Sequence, residues 1–144
     1  MPLPKLTIGL VVRYEYIWAR CAATAETADK DHPACVVMTY EGKEGAEEMV
    51  VYLPISHVAP SGDQEGIELP TRAKSAAGLD AAPQWILVSE CNIDAWPFDV
   101  RQLPNRPGRF HYGHLPPALF TEIRDRFVAR YRAKRVRQVG RAAP

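Results

Sequence analysis

Two stretches decide the fold of this chain: Asp31-His-Pro-Ala-Cys-Val-Val-Met-Thr-Tyr40 and Met49-Val-Val-Tyr-Leu-Pro-Ile-Ser-His57. Each is a short run rich in β-branched and apolar residues, which is typical of a β-strand. The polar, glycine-containing loop between them predicts a hairpin of antiparallel neighbours. The start of the first strand then lies beside the end of the second. We therefore expect His32, Ser56 and His57 to share one rim of a sheet.

Outside this hairpin, the pattern predicts further short strands and two helices. The predicted strands span residues 7–18, 34–41, 49–55, 67–70, 85–93 and 109–112. A short helix is expected over 71–79, with Thr71 as its cap and a glycine as its stop. Apolar residues at every fourth position from Leu119 predict a long C-terminal helix that reaches nearly to Arg137. The fold class is therefore mainly β, a small barrel or closed sheet with a helix packed against it.

Alternation within the strands predicts which side chains are buried. In the first strand, the apolar and aromatic side chains share one face: Val12, Tyr14, Tyr16 and Trp18. Arg13 and Glu15 occupy the other face. In the late strand, Glu90 and Asp94 are expected to be solvent-facing carboxylates of an alternating strand, with a role as base or ion-pair partner as the alternative.

The bulk composition is that of an ordinary globular domain. A chain of 144 residues predicts one domain over 1–144. Cys21, Cys35 and Cys91 are odd in number and widely spaced, so buried reduced thiols in a cytoplasmic protein are expected. The apolar stretch 6–18 is interrupted by charges, so we expect neither a signal peptide nor a membrane span there.

Charge is distributed unevenly along the chain, although the net charge is only +1. Residues 122–141 contain eight basic and two acidic side chains. Such a stripe is able to bind nucleic acid or an acidic protein. The preferred interpretation is a solvated helix face followed by a basic tail from about residue 138.

Five blocks of the sequence carry a family resemblance. They are Ile8-Gly-Leu-Val-Val, His32-Pro-Ala-Cys-Val-Val, Leu53-Pro-Ile-Ser-His, Trp85-Ile-Leu-Val-Ser-Glu-Cys-Asn-Ile-Asp-Ala-Trp and Tyr112-Gly-His-Leu-Pro-Pro-Ala-Leu-Phe. Together, and in this order, they resemble the MazF/PemK/CcdB group of bacterial growth-inhibiting toxins. The resemblance implies an SH3-like β-barrel with a C-terminal helix, usually as a homodimer.

The resemblance also implies an activity and partners. Enzymes of this group cut single-stranded RNA without a metal or other cofactor: the ribose 2′-OH attacks the neighbouring phosphate and leaves a cyclic phosphate. That reaction needs a base, an acid and a group that binds the phosphate oxygens. The implied partners are single-stranded RNA, a second copy of the chain and a cognate antitoxin, whose acidic, partly disordered tail would cover the groove. No membrane partner is expected.

The chain departs from the family pattern at one position that matters for this chemistry. His32 stands where the group has arginine before proline, so a titratable imidazole replaces a permanent forked charge. We expect His32 to act as acid or base, His57 as its partner and Ser56 as the phosphate ligand. Arg13, Tyr14 and Lys30 are candidate RNA-binding residues, with Tyr14 stacking a base; core burial is the alternative for Tyr14.

Two further interpretations remain open from the sequence. The spacings His32-x-x-Cys35 and His111-x-x-His114 offer four metal ligands, but residues three apart on a strand face opposite sides, so no metal site is predicted. The missing arginine also fits a non-catalytic barrel that binds RNA or a protein such as DNA gyrase.

Overall fold

The computed structural model describes residues 6–19, 32–42, 47–101, 103 and 111–140. Within these ranges the protein is mainly β, with a curled, largely antiparallel half-barrel sheet and two helices. The strands are β1 Leu10–Tyr14, β2 His32–Glu41, β3 Glu48–Ser56, β4 Gly66–Glu68, β5 Trp85–Leu87, β6 Glu90–Ala95, β7 Val100–Arg101, β8 His111–His114 and β9 Arg137–Gly140. The helices are α1 Thr71–Ala77 and α2 Pro117–Arg132. Neither of these helices is long and apolar enough to cross a bilayer.

The predicted hairpin of β2 and β3 is confirmed and forms the centre of the sheet. The two strands pair antiparallel from Ala34 opposite Pro54 to Glu41 opposite Glu48. The main path of the sheet runs β4-β5-β3-β2-β1-β7, while β6 joins β3 to β9 and β8 pairs with β1. Of these pairings only that of β6 with β9 is parallel.

Alternation along the central strands gives the sheet two buried faces. On one face, Val11, Cys35 and Leu53 pack against α2. The side chains that α2 contributes to this face are Phe120, Ile123 and Phe127. On the other face lie Val12, Val36 and Tyr52, together with the aromatic side chains that the sequence predicts there: Tyr14, Tyr16 and Trp18. The predicted alternation in the first strand is therefore confirmed.

The first and the late predicted strands both differ from their expected extents. Strand β1 ends at Tyr14 rather than Trp18. Glu15 still bonds to the backbone of Asp99, but the backbone N–H groups of Ile17 and Ala19 donate to side chains of β6. The run 85–93 divides into β5 and β6 at Val88 and Ser89. Both residues bond to Glu65. The chain therefore ends its pairing with β4 before it continues as β6 beside β3.

The helices also correct two details of the prediction. Thr71 is the first residue of α1 rather than its cap: Pro70 occupies the cap position, and no side chain bonds there. Gly78 ends α1 in the left-handed conformation, as the glycine stop predicts.

The prediction that the last helix continues to about Arg137 is wrong. Helix α2 ends at Arg132, and Lys134 adopts a positive φ of 59° that reverses the chain. The chain then returns as β9, which pairs with β6 from Arg137 opposite Glu90. Residues 138–140 therefore belong to the sheet rather than to a basic tail, and residues 141–144 lie outside the described ranges.

Candidate functional site

The register of the central hairpin brings the predicted site residues to one end of the sheet. Ala34 of β2 lies opposite Pro54 of β3. His32 begins β2 and Ser56 ends β3, each two residues beyond this pair. His57 follows Ser56 directly. We refer to His32, Ser56 and His57 as the rim.

His32 is held against an aromatic wall. Its backbone pairs with Tyr14 of β1, and its half-buried imidazole lies edge-on to the indole of Trp18, with ring centroids 5.4 Å apart. One side of the imidazole is therefore covered by an apolar ring, and the proline that follows fixes the extended backbone of this residue.

Ser56 forms a local turn with its hydroxyl. The backbone N–H of Val58 donates to Ser56 Oγ over 2.9 Å. The hydroxyl acts as the acceptor in this bond, so its own proton remains a donor. Ser56 is therefore oriented by the chain that follows it and still has a donor for an anion.

His57 is paired with a carboxylate that sequence spacing does not indicate. Its Nε2 lies 3.1 Å from Asp80 Oδ2 and 3.3 Å from Asp80 Oδ1. The imidazole and the carboxylate are 54% and 60% exposed, so the pair is open to solvent and to a ligand. Asp80 lies 23 residues further along the chain, in the loop after α1. No local motif links the two residues.

Two of the three candidate RNA-binding residues, Arg13 and Tyr14, lie in different environments. Arg13 is partly exposed on β1, between Pro33 of β2 and Arg101 of β7. Tyr14 is fully buried, which corrects its prediction as a base-stacking residue. Its phenol stacks on Tyr52 at 4.0 Å, as the alternative of core burial predicts. Lys30 lies outside the described residues.

Strand β6 carries a row of buried polar side chains, which corrects the expectation that its carboxylates face solvent. Glu90, Asn92 and Asp94 are 5%, 0% and 1% exposed. Glu90 accepts from the Tyr16 hydroxyl and the Ala19 backbone N–H. Asn92 exchanges two hydrogen bonds with the backbone of Ile17.

Asp94 completes this row beneath the aromatic cluster. It accepts a hydrogen bond of 2.8 Å from the Tyr14 hydroxyl. Burial and, to a smaller extent, the nearby Asp99 together raise the pKa of Asp94 to about 7. The polar side chains of β6 thus hydrogen-bond to residues 14–19. Their carboxylates stabilise the fold and do not form an open catalytic site.

Cys35 and His114, two of the residues considered as metal ligands, have other surroundings. Cys35 is buried in the core, and this burial raises the pKa of its thiol to about 12. Cys91 is also buried, as expected, whereas Cys21 lies outside the described residues. His114 Nε2 lies 2.7 Å from Thr7 Oγ1. The described part of the chain contains no group of three or more His, Cys, Asp or Glu side chains arranged to hold a metal ion.

The basic residues near the C-terminus border an open cleft of about 530 Å³. Its cationic side chains come from the end of α2, from the connection that follows it and from the start of β9: Arg130, Lys134, Arg135 and Arg137. Arg130 is committed to Glu65, at 3.0 Å, and to the carbonyl oxygen of Asp63. The other three residues are exposed. The turn at Lys134 therefore places four of the basic residues around one concavity, whereas Arg124, Arg126 and Arg132 remain on α2.

Comparison with known proteins finds no relative of this chain. No protein-family model matches the chain, and neither a curated protein nor a solved structure matches it. The rim and the cleft are therefore interpreted from their own chemistry.

Proposed function

We propose that this protein is a growth-inhibiting toxin of a toxin–antitoxin system that cleaves single-stranded RNA without a metal, on a barrel of the SH3-like type. The observation that carries the proposal is the β2–β3 register, which brings the residue before Pro33 and the residues after Ile55 to the same end of the sheet. The curled half-barrel and the five sequence blocks support the same family.

The rim supplies the three groups that this reaction needs. One imidazole removes the proton of the ribose 2′-OH, and the 2′-oxygen forms a bond to phosphorus. The bond from phosphorus to the 5′-oxygen breaks, and the second imidazole gives that oxygen a proton. We assign His57 as the base and His32 as the acid, while the Ser56 hydroxyl donates to a phosphate oxygen. The products are a 2′,3′-cyclic phosphate and a free 5′-hydroxyl.

A surface feature of the sheet and α2 supports the partners that the proposal includes. An apolar groove of about 400 Å³ lies between the β2–β3 hairpin, β6 and α2. Tyr40 and Tyr131 border it and are about half exposed, and Arg132 adds a positive charge at its edge. A second copy of the chain and an acidic antitoxin segment are the partners that the proposal includes.

Cleavage of a single-stranded RNA oligonucleotide in the presence of EDTA tests the catalytic assignment. We expect the His32→Ala and His57→Ala variants to cleave at least about 100-fold more slowly, since an acid or base contributes about that much. His114→Ala is the matched control, because this histidine bonds to Thr7 away from the rim. Equal rates in all four proteins, or no cleavage by the parent, would reject the assignment.

A second candidate function is favoured by the basic cleft. Its exposed cations would let the protein bind RNA without cutting it, with an affinity that falls steeply as salt rises. Arg135→Ala would then weaken RNA binding, whereas His57→Ala would not. If growth inhibition persists without the rim histidines and without RNA binding, a protein target such as DNA gyrase becomes the better explanation.

A further inference from the structure

We infer that Asp80 is a positioning residue for His57, holding the imidazole with Nε2 protonated so that Nδ1 is the nitrogen presented to the RNA. This inference deepens the proposed function and rests on it. It adds a residue from a distant loop, one that sequence reasoning does not find, to the rim.

The contact between the two side chains specifies the tautomer. An ionised carboxylate only accepts hydrogen bonds, so the Nε2 atom that lies 3.1 Å from Asp80 Oδ2 must be the protonated nitrogen. In the neutral ring, Nδ1 then carries the lone pair. A base needs that lone pair in order to take the proton of the 2′-OH.

Asp80 is itself held in place by the loop that follows α1. Its Oδ1 accepts from the backbone N–H of Ala82 over 2.9 Å and from Gln84 Nε2 over 3.2 Å. Gln84 is 1% exposed, and its Nε2 also donates to the Asp80 carbonyl oxygen. The carboxylate is therefore oriented by Oδ1, and Oδ2 makes the shorter of its two contacts with His57.

A buried lysine of α1 also holds this loop, through hydrogen bonds to its backbone. Lys74 of α1 is 6% exposed, and its Nζ donates to the carbonyl oxygens of Ala81 and Ala82 over 3.0 and 2.9 Å. A lysine is rarely this buried, because its charge must leave water. Two buried polar side chains, Lys74 and Gln84, thus define the loop that carries Asp80.

In the proposed reaction, Asp80 affects only the transfer of the proton from the 2′-OH to His57. The 2′-OH proton moves to His57 Nδ1 as the 2′-oxygen bonds to phosphorus, and His32 protonates the departing 5′-oxygen. Asp80 accepts no proton in this scheme. It keeps Nδ1 free of hydrogen before the step and remains hydrogen-bonded to the imidazolium after it.

A double-mutant cycle on single-stranded RNA cleavage tests this role. Asp80→Asn retains an oxygen for Ala82 and Gln84 but removes the carboxylate. We expect it to lower kcat about tenfold, with KM changed by less than about twofold. In a His57→Ala background, the same change is expected to have no further effect. Asp125→Asn, an equal change of charge on the exposed surface of α2, is the control and should retain the parent kcat.

Nitrogen-15 NMR of the imidazole provides a readout that does not depend on activity. At a pH where the ring is neutral, the parent protein should show His57 with Nε2 protonated. In Asp80→Asn the amide N–H₂ group takes the place of Oδ2 and donates to Nε2, so the ring should shift toward the tautomer with Nδ1 protonated. Thermal unfolding of each variant checks that the loop stays folded.

The outcomes separate the two claims. An unchanged tautomer in Asp80→Asn, or an equal loss of kcat with and without His57, would overturn the positioning role even if the protein cleaves RNA. If the parent protein cleaves no RNA, the proposed nuclease fails and the catalytic role of Asp80 fails with it. The NMR result then reports only on the histidine–aspartate contact.

Discussion

At the scale of single residues, the polar row of β6 connects parts of the chain that are far apart in sequence. Glu90 and Asp94 accept hydrogen bonds from tyrosines of the first strand region, more than 70 positions away. Their spacing of four positions along a strand predicts correctly that these carboxylates share a face. It does not tell which face is buried, because that depends on the segment that covers the strand. The expectation of solvent exposure was wrong for this reason.

Asp94 makes the stability of the fold depend on pH. Its folded pKa of about 7 lies above its ordinary value of 3.8. Between about pH 4 and pH 7, the folded state therefore holds a proton that the unfolded state has released, so stability falls as pH rises through this window. We expect Asp94→Asn to gain about 2 to 4 kcal/mol relative to the parent between pH 4.5 and pH 8, since one unit of pKa corresponds to about 1.4 kcal/mol.

Urea unfolding at both pH values measures this difference. The control is Asp125→Asn, the same substitution at a carboxylate that is exposed on α2. A constant offset between Asp94→Asn and the parent across the window would show that the carboxyl group is not protonated in the folded state.

At the scale of secondary structure elements, the hairpin and α1 were predictable because their signals are local. The β2–β3 hairpin carries its two strand patterns and its loop within 26 consecutive residues, 32–57. Helix α1 ends at the glycine that the sequence indicates. The division of 85–93 into two strands had no such local signal, because it results from bonds to Glu65 in another loop.

The end of α1 should be sensitive to the loss of its glycine. Gly78 has φ of 77°, and a Cβ at this position would lie 2.8 Å from the carbonyl oxygen of Tyr112. We expect Gly78→Ala to lower the free energy of unfolding by about 2 to 4 kcal/mol, through strain and steric overlap. The matched control is Gly62→Ala, which has a similar φ of 60° but open space around it and should lose only about 1 kcal/mol.

Chemical denaturation of the two glycine variants gives this comparison directly. Equal losses would mean that the backbone near Tyr112 moves aside, so that only the left-handed conformation requires glycine at the end of α1.

At the scale of the whole molecule, α2 closes one face of the curled sheet. Its apolar period was recognisable in the sequence, and its buried side chains pack against β1, β2 and β3. The sequence pattern places the end of α2 too late, near Arg137. The chain beyond Lys134 pairs with the edge of β6 instead of continuing the helix. The same turn places four of the basic residues around the cleft.

Loss of the contact between α2 and the sheet should destabilise the described fold as a unit. Ile123 is fully buried between them. We expect Ile123→Ala to lower the free energy of unfolding by about 2 to 5 kcal/mol, with coincident transitions by circular dichroism and tryptophan fluorescence. Glu122→Ala, which removes an exposed pair with Arg126, should cost less than about 1 kcal/mol. Separate transitions would contradict a single cooperative core.

The sequence by itself determined the mainly β character, the central hairpin, the alternating faces of the first strand and the placement of His32 and Ser56 at one sheet end. These properties depend on side-chain periodicity and on turn residues, whose effects act over a few neighbouring positions. Only the tertiary structure decided the burial of the β6 carboxylates, the β6–β9 pairing and the contact of His57 with Asp80. Such contacts join residues that are distant along the chain, and their free energy exists only once the intervening segments have packed.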